Sequence, residues 1–262
     1  MRQLRQLVLA ISFLTRLPVP SIGSAEHELG ASTWAFPLAG LLVGGISGLV
    51  YRGAAFLVWA GAGSKGTPGE IAPVLGASLL GAALSLAANA LVTGGLHLDG
   101  LADVADGLAG GRNAEESLEI MRDSRIGSMG ALWLTIDLLA RYALLVVSGQ
   151  ERALKWLVIS AATGRLAQVF AIVAFPYVRP TGLGKAFKDA ARPVHLLVAT
   201  MVTITAAVWV GTRGIVAAAT GVLAGMVIAV CLRRRLGGLT GDAYGAINEM
   251  VEIVVLFGGA LR

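Results

Sequence analysis

Seven long apolar segments, at about 33–61, 71–96, 128–147, 153–175, 194–211, 214–232 and 245–261, limit what this chain can become. As helices rising 1.5 Å per residue, they match the roughly 30 Å of hydrocarbon in a bilayer. Lipid offers a backbone no hydrogen-bond partners, so such segments span as helices and not as open strands. Composition agrees: 56% of the residues are hydrophobic and only 14% charged, where a soluble domain carries about a quarter. The expected fold is all-α, a polytopic membrane bundle of about seven transmembrane helices. No repeat, low-complexity tract or long linker divides it, so residues 1–262 are expected to form one integral-membrane domain.

Residues 1–20, MRQLRQLVLAISFLTRLPVP, pair Arg2 and Arg5 with a short apolar run. A signal peptide is the simplest alternative, but Arg16, Pro18 and Pro20 end the run without a cleavage signature. An N-terminal interfacial or re-entrant helix, too short to span, fits better. Basic residues test the topology. With the N-terminus in the cytoplasm, the inner face carries 13 of them, namely Arg2, Arg5, Arg16, Arg112, Arg122, Arg125, Arg179, Lys185, Lys188, Arg192 and Arg233–Arg235. The outer side carries 5, namely Lys65, Arg152, Lys155, Arg213 and Arg262. That asymmetry is the positive-inside pattern, and the expected location is the cell (inner) membrane with the site facing the cytoplasm. The net charge of +5 is therefore an orientation code and not a nucleic-acid footprint.

Gly40, Gly44 and Gly48, and later Gly221 and Gly225, form small-residue ladders. Such ladders mark close helix–helix contacts, either within one chain or between copies in a homo-oligomer. Arg141 has Asp137 one turn earlier, which predicts an intrahelical ion pair. Arg52 and Arg165 have no local partner, and charges at that depth face the bundle interior or a polar cavity. Arg165 could reach a substrate phosphate from there. The single cysteine, Cys231, has no disulfide partner and is expected to pack.

Chemistry concentrates at the inner face. In His97-Leu98-Asp99-Gly100-Leu101-Ala102-Asp103-Val104-Ala105-Asp106, three carboxylates fall at i, i+4 and i+7, on one face of a helix. Between Arg52 and Arg112 the only permanently charged basic residue is Lys65, so the balancing charge is expected from outside the chain. A hard ion such as Mg²⁺ suits these oxygens and leaves room for a phosphate. A second acidic group, Asp242, Glu249 and Glu252, opens the last span and would supply further ligands; Thr240 or Asp242 is alternatively a helix cap. Asn113 with Glu116 reads as a capping pair opening a short helix, with Glu115 and Glu119 solvated. In Asp123-Ser124-Arg125, either the arginine forks onto a phosphate while Asp123 orients it or binds metal, or the pair is an ordinary surface ion pair. His97 is a general base, a hydrogen-bond donor, a ligand or a packed side chain. From the residues alone, the chemistry indicated is metal-assisted phosphoryl or phosphodiester transfer beside the membrane.

Five stretches extend this reading: FLTRLPVP (13–20), GGLHLDGLADVADGL (94–108), MRDSRIGSMG (121–130), PYVRPTGLGKAF (176–187) and RRLGGLTGDAYGAINEMVE (234–252). In order and spacing they resemble the cobalamin synthase family, the adenosylcobinamide-GDP ribazoletransferases. Met129 is a small departure, in a place where an aromatic is expected. The resemblance implies a multi-pass, Mg²⁺-dependent enzyme that joins α-ribazole, or its 5′-phosphate, to adenosylcobinamide-GDP. The ribazole 3′-hydroxyl attacks the cobinamide-side phosphorus, and GMP leaves. Carried onto this chain, Asp99, Asp103 and Asp106 would bind Mg²⁺. Asp242, Glu249 and Glu252 would complete the site or act as base, and Arg16, Arg125 and Arg179 would hold phosphates.

Two other classes compete. CDP-alcohol phosphotransferases also set aspartates at four-residue spacing beside a membrane. Their pattern needs an Ala-Arg pair soon after the first Asp-Gly, where this chain has Asp103-Val104. A cation transporter would place acids at mid-bilayer on broken helices, and here only Asp137 is expected well inside a span.

Overall fold

The computed structural model describes residues 2–20, 26–61 and 71–261. Lys65 and Arg262, used in the charge argument, lie outside the described residues. In chain order the helices are α1 (Arg2–Leu14), α2 (Glu26–Gly30), α3 (Phe36–Gly61), α4 (Ile71–Thr93), α5 (Leu96–Gly110) and α6 (Ala114–Ile120). There follow α7 (Ser128–Ser148), α8 (Gln150–Ala174), α9 (Leu183–Ala190), α10 (Pro193–Val210), α11 (Thr212–Leu236) and α12 (Gly241–Ala260). A 3-10 turn, Ala31–Ala35, joins α2 to α3. Among the described residues, seven helical stretches are long and apolar enough to cross a membrane: His27–Val58, Val74–Thr93 and the helices α7, α8, α10, α11 and α12. The expected all-α, seven-span architecture is what the chain adopts. At 13 residues, α1 covers about 20 Å and cannot cross. It lays Leu9, Ala10 and Leu14 against the bundle and leaves Arg2 and Arg5 exposed.

Two boundaries that differ from the sequence expectation matter to the site. The second span ends at Thr93 because Gly94 and Gly95 adopt φ of 63° and 71°, left-handed values that stop α4 and redirect the chain into α5. The last helix starts at Gly241, earlier than expected, where the Thr240 hydroxyl accepts from the Ala243 N–H at 3.1 Å. Thr240 is thus the cap, which frees Asp242.

The most enclosed spans are α8 and α12. Around them pack α3, α10 and α11 on α8, and α5, α7 and α11 on α12. Both glycine ladders serve contacts within the chain. A Cβ on Gly40 would lie 2.6 Å from the Ala161 carbonyl oxygen, so the first ladder is what lets α3 reach α8. Gly221 and Gly225 sit against Val255, Val251 and Ala167 of α12 and α8. One expectation needs correcting: Cys231 is exposed on α11 instead of packed. Arg52 meets the polar-cavity alternative and not the interior one, being exposed and lining a small cavity with Gln150 and Glu151.

Candidate active site

The two acidic motifs meet because α5 carries a glycine where α12 presses on it. A Cβ on Gly100 would stand 2.7 Å from the Asp242 carbonyl oxygen, so only glycine permits this approach. Asp242 therefore lies next to the α5 carboxylates Asp99 and Asp103. Burial, and then the like charges of Asp242 and Asp99, push the Asp103 carboxyl up to about 7, against the pull of Arg179. Arg179 donates from Nη2 to Asp242 Oδ2 at 2.8 Å, with both side chains about four-fifths buried. A short parallel pairing positions it: the Val178 N–H donates to Leu239 O at 2.9 Å, and the Leu239 N–H to Pro176 O at 2.8 Å. Part of the counter-charge expected from outside thus comes from this arginine, distant in sequence.

The third α5 aspartate has a different task. Asp106 accepts from the Gly127 and Gly130 N–H groups at 2.7 and 2.8 Å, which places its carboxylate on the first turn of α7. Both its oxygens are occupied by amides, so it differs from the free metal ligand the spacing suggested. Nearby, Asn113 Oδ1 accepts from the Glu116 N–H as expected, while Glu116 reaches back to the Arg112 N–H and guanidinium. Arg235 ties α11 to this corner by donating to the Gly111 carbonyl.

Glu249 and Glu252 lie deeper, in an internal ion-pair network. Arg141 bridges Asp137 at 2.9 Å, Glu249 at 2.5 Å and Glu252 at 2.7 Å. Arg165 pairs with the other Glu252 oxygen, and Asn248 donates to both glutamates at 3.0 Å. All five charged side chains of this central knot are 4% exposed or less. The Asp137–Arg141 pair is as expected, but the glutamates face guanidinium groups and not a cation site. Arg165 serves Glu252 and not a phosphate. Breaking such a buried pair is strongly destabilising, by about 3–5 kcal/mol, so the network holds α7, α8 and α12 in register.

That network also settles the chemistry of His97. Its Nδ1 lies 3.2 Å from Arg165 Nη2, and a guanidinium can only donate, so Nδ1 accepts. Burial, then the positive charges of Arg165 and Arg141, hold the ring well below its usual pKa and keep it neutral. The single ring proton is therefore on Nε2, which has no partner among the described residues. Nε2 is thus the ring atom that this arrangement leaves free to donate.

Beside Asp99 and Asp103 runs an open groove of about 490 Å³, lined also by Arg16, Gly94, Gly95, Ser124 and Ile126. The Arg16 N–H donates to Val92 O at 2.6 Å, which fixes α1 to the α4–α5 turn. Arg125 forks onto Asp123, with Nη2–Oδ2 at 2.6 Å and the guanidinium 87% exposed. This is the surface-pair reading, and it holds the Asp123 carboxyl down to about 2. Asp99 and Asp242 also line a second cavity, whose wall includes Phe13, Phe36, His97, Gln168, Tyr177, Phe187 and Tyr244. Apart from His97, none of these was singled out from the sequence. Only Gln168, an amide inside an apolar span, carried a readable signal.

The chain matches the family described as cobalamin-5-phosphate synthase over residues 6–260. It is 39% identical over 249 residues to the adenosylcobinamide-GDP ribazoletransferase of Roseiflexus sp. (strain RS-1), covering 94% of this chain and 86% of that protein. The protein of the same name from Desulforamulus reducens is 35% identical, covering 95% and 93% of the two chains. That of Herpetosiphon aurantiacus is 38% identical, covering 97% and 95%. No solved structure matches this one.

Proposed function

The chain belongs to the cobalamin-5-phosphate synthase family and is an enzyme of cobalamin biosynthesis, and from that premise we propose that it joins α-ribazole, or α-ribazole 5′-phosphate, to adenosylcobinamide-GDP. A bond forms between ribazole O3′ and the cobinamide-side phosphorus. The bond from that phosphorus to the bridging oxygen breaks, and GMP leaves with the oxygen. Adenosylcobalamin or its 5′-phosphate results. The carrying observation is the junction of α5 and α12, where Asp99 and Asp103 share one end of the bundle with Asp242 and Arg179.

Each group has a task that its surroundings support. Asp103, whose affinity for a proton is raised to about pH 7, takes the O3′ proton. Arg179, held in place by Asp242, faces the pyrophosphate, with Arg16 and Ser124 along the groove. His97 donates from Nε2 to a substrate oxygen. Among the described residues, no three His, Cys, Asp or Glu side chains form a ready metal cage. Mg²⁺ does not need one, since it is usually held by one or two carboxylates plus water and substrate phosphates. Asp99 and Asp242 fit that donor set and would hold it. Bound there, the ion would offset charge on the pyrophosphate and the leaving group. The basic-residue asymmetry supports a site facing the cytoplasm.

The test is purified protein given both substrates. GMP and the joined corrinoid should appear in equal amounts, and only with Mg²⁺. Absence of GMP release under those conditions defeats the reading.

A further inference from the structure

The cavity adjoining the carboxylates is about 290 Å³ and has two unlike walls. One is aromatic, built from three separate elements: Phe13 of α1, Phe36 of α3 and Phe187 of α9. Their rings pack with centroids 4.7 Å apart for Phe13–Phe187 and 5.3 Å for Phe36–Phe187. The other wall is polar and comes from α5, α8 and α12. There His97, Gln168 and Tyr244 are 4% exposed or less. Yet His97 Nε2, Gln168 Oε1 and the Tyr244 hydroxyl have no hydrogen-bond partner among the described residues. Gln168 is not loose, because its Nε2 donates to the Tyr244 carbonyl at 3.1 Å. Orphaned polar atoms at such depth are costly, and three around one cavity are what a ligand with matching oxygens would satisfy.

We propose that this cavity seats the nucleoside substrate, with a fused, nearly apolar base against the three phenylalanines, the ribose on His97, Gln168 and Tyr244, and O3′ at the Asp99 edge that the cavity shares with the groove lined by Asp103. The assignment rests on the ribazole transfer proposed above. Size supports it. Ligand pockets run from roughly 300 to 1,000 Å³, and this one, at about 290 Å³, suits a nucleoside and excludes a corrin macrocycle. The macrocycle stays outside and only its pyrophosphate arm enters the neighbouring groove, which Asp99 also lines. Chemistry supports it too. A dimethylbenzimidazole has one polar edge atom, whereas guanine would press several donors and acceptors against phenylalanine rings. The same wall that accepts ribazole thus turns away the guanosine end of the other substrate.

Steady-state kinetics with both substrates tests this. Tyr244→Phe removes one hydroxyl and should raise the KM for α-ribazole about three- to tenfold, with less than about a twofold change in the KM for adenosylcobinamide-GDP. Phe187→Ala enlarges the aromatic wall, so an α-ribosyl naphthimidazole should gain on α-ribazole by about tenfold in KM ratio over wild type. That gain cannot come from misfolding. An unchanged ribazole KM in Tyr244→Phe, equal shifts in both KM values, or equal losses for both nucleosides in Phe187→Ala would overturn the assignment while leaving the reaction standing. Failure of the wild type to release GMP removes the reaction and this assignment with it.

Discussion

Asp103 carries the tension of the site. Its neighbours Asp242, Asp99 and Asp106 are all acidic, and Arg179 alone among its strong influences is positive. Its folded pKa of about 7, against an ordinary 3.8, means that the native state binds this proton more tightly than the unfolded chain does. Stability is therefore undiminished below the ordinary carboxylate range and is lost as pH rises toward 7. Because Asp103 is partly open to solvent, the penalty is discounted to roughly 1 kcal/mol. Asp103→Asn should then melt about 2–4 °C higher than wild type at pH 8 without added metal, converge with it below pH 4, and lose GMP release by at least about 100-fold. Adding Mg²⁺ should raise the wild-type melting temperature and narrow the gap. Equal melting curves at pH 8 would show that the carboxylate is not strained by its neighbours.

At the scale of elements, the contact between α5 and α12 decides whether the site exists. Gly100 is the place to disturb it, since a methyl group there meets the Asp242 backbone. Overpacking of this kind costs about 1–3 kcal/mol, less than the bundle needs to unfold. Misplacing reacting groups by about 1 Å can cost on the order of 100-fold in rate. Gly100→Ala should therefore insert and stay folded while losing about 100-fold in GMP release. Gly53→Ala, where an added Cβ meets nothing within 4 Å, should stay within about twofold of wild type. Near-normal turnover in Gly100→Ala would separate catalysis from this junction. The same contact explains which parts of the site were legible in the chain. The spans, the Asp99–Asp103 spacing and the Asp137–Arg141 pair follow from local periodicity. Glu249 and Glu252 were read as cation ligands because their counter-charges, Arg141 and Arg165, come from helices distant in sequence. The phenylalanine wall was invisible for a related reason: Phe13, Phe36 and Phe187 each look like ordinary apolar positions until three elements bring them together.

For the molecule as a whole, the site lies at one end of the bundle, and the remaining variable is which compartment that end faces. The groups that meet there come from the end of α1, the α4–α5 turn, the loop before α7, the segment before α9 and the start of α12. Each was placed on the inner face by the charge count, and an even number of spans separates any two of these places. A miscount of one span between Arg179 and Asp242, at α10 or α11, would have put them on opposite sides, whereas they pair at 2.8 Å. The packing thus supports the relative topology, and the arginine and lysine bias supplies its direction. Cysteine labelling tests that direction. In a Cys231→Ser background, Ser124→Cys reports the site end and Glu151→Cys the opposite end, both native side chains being exposed. A membrane-impermeant maleimide should label Ser124→Cys in inside-out vesicles only and Glu151→Cys in right-side-out vesicles only. If the pattern is reversed, the carboxylates face away from the cytoplasm. Nucleotide substrates made inside the cell would then have no route to them, and the transferase reading would fall with the topology.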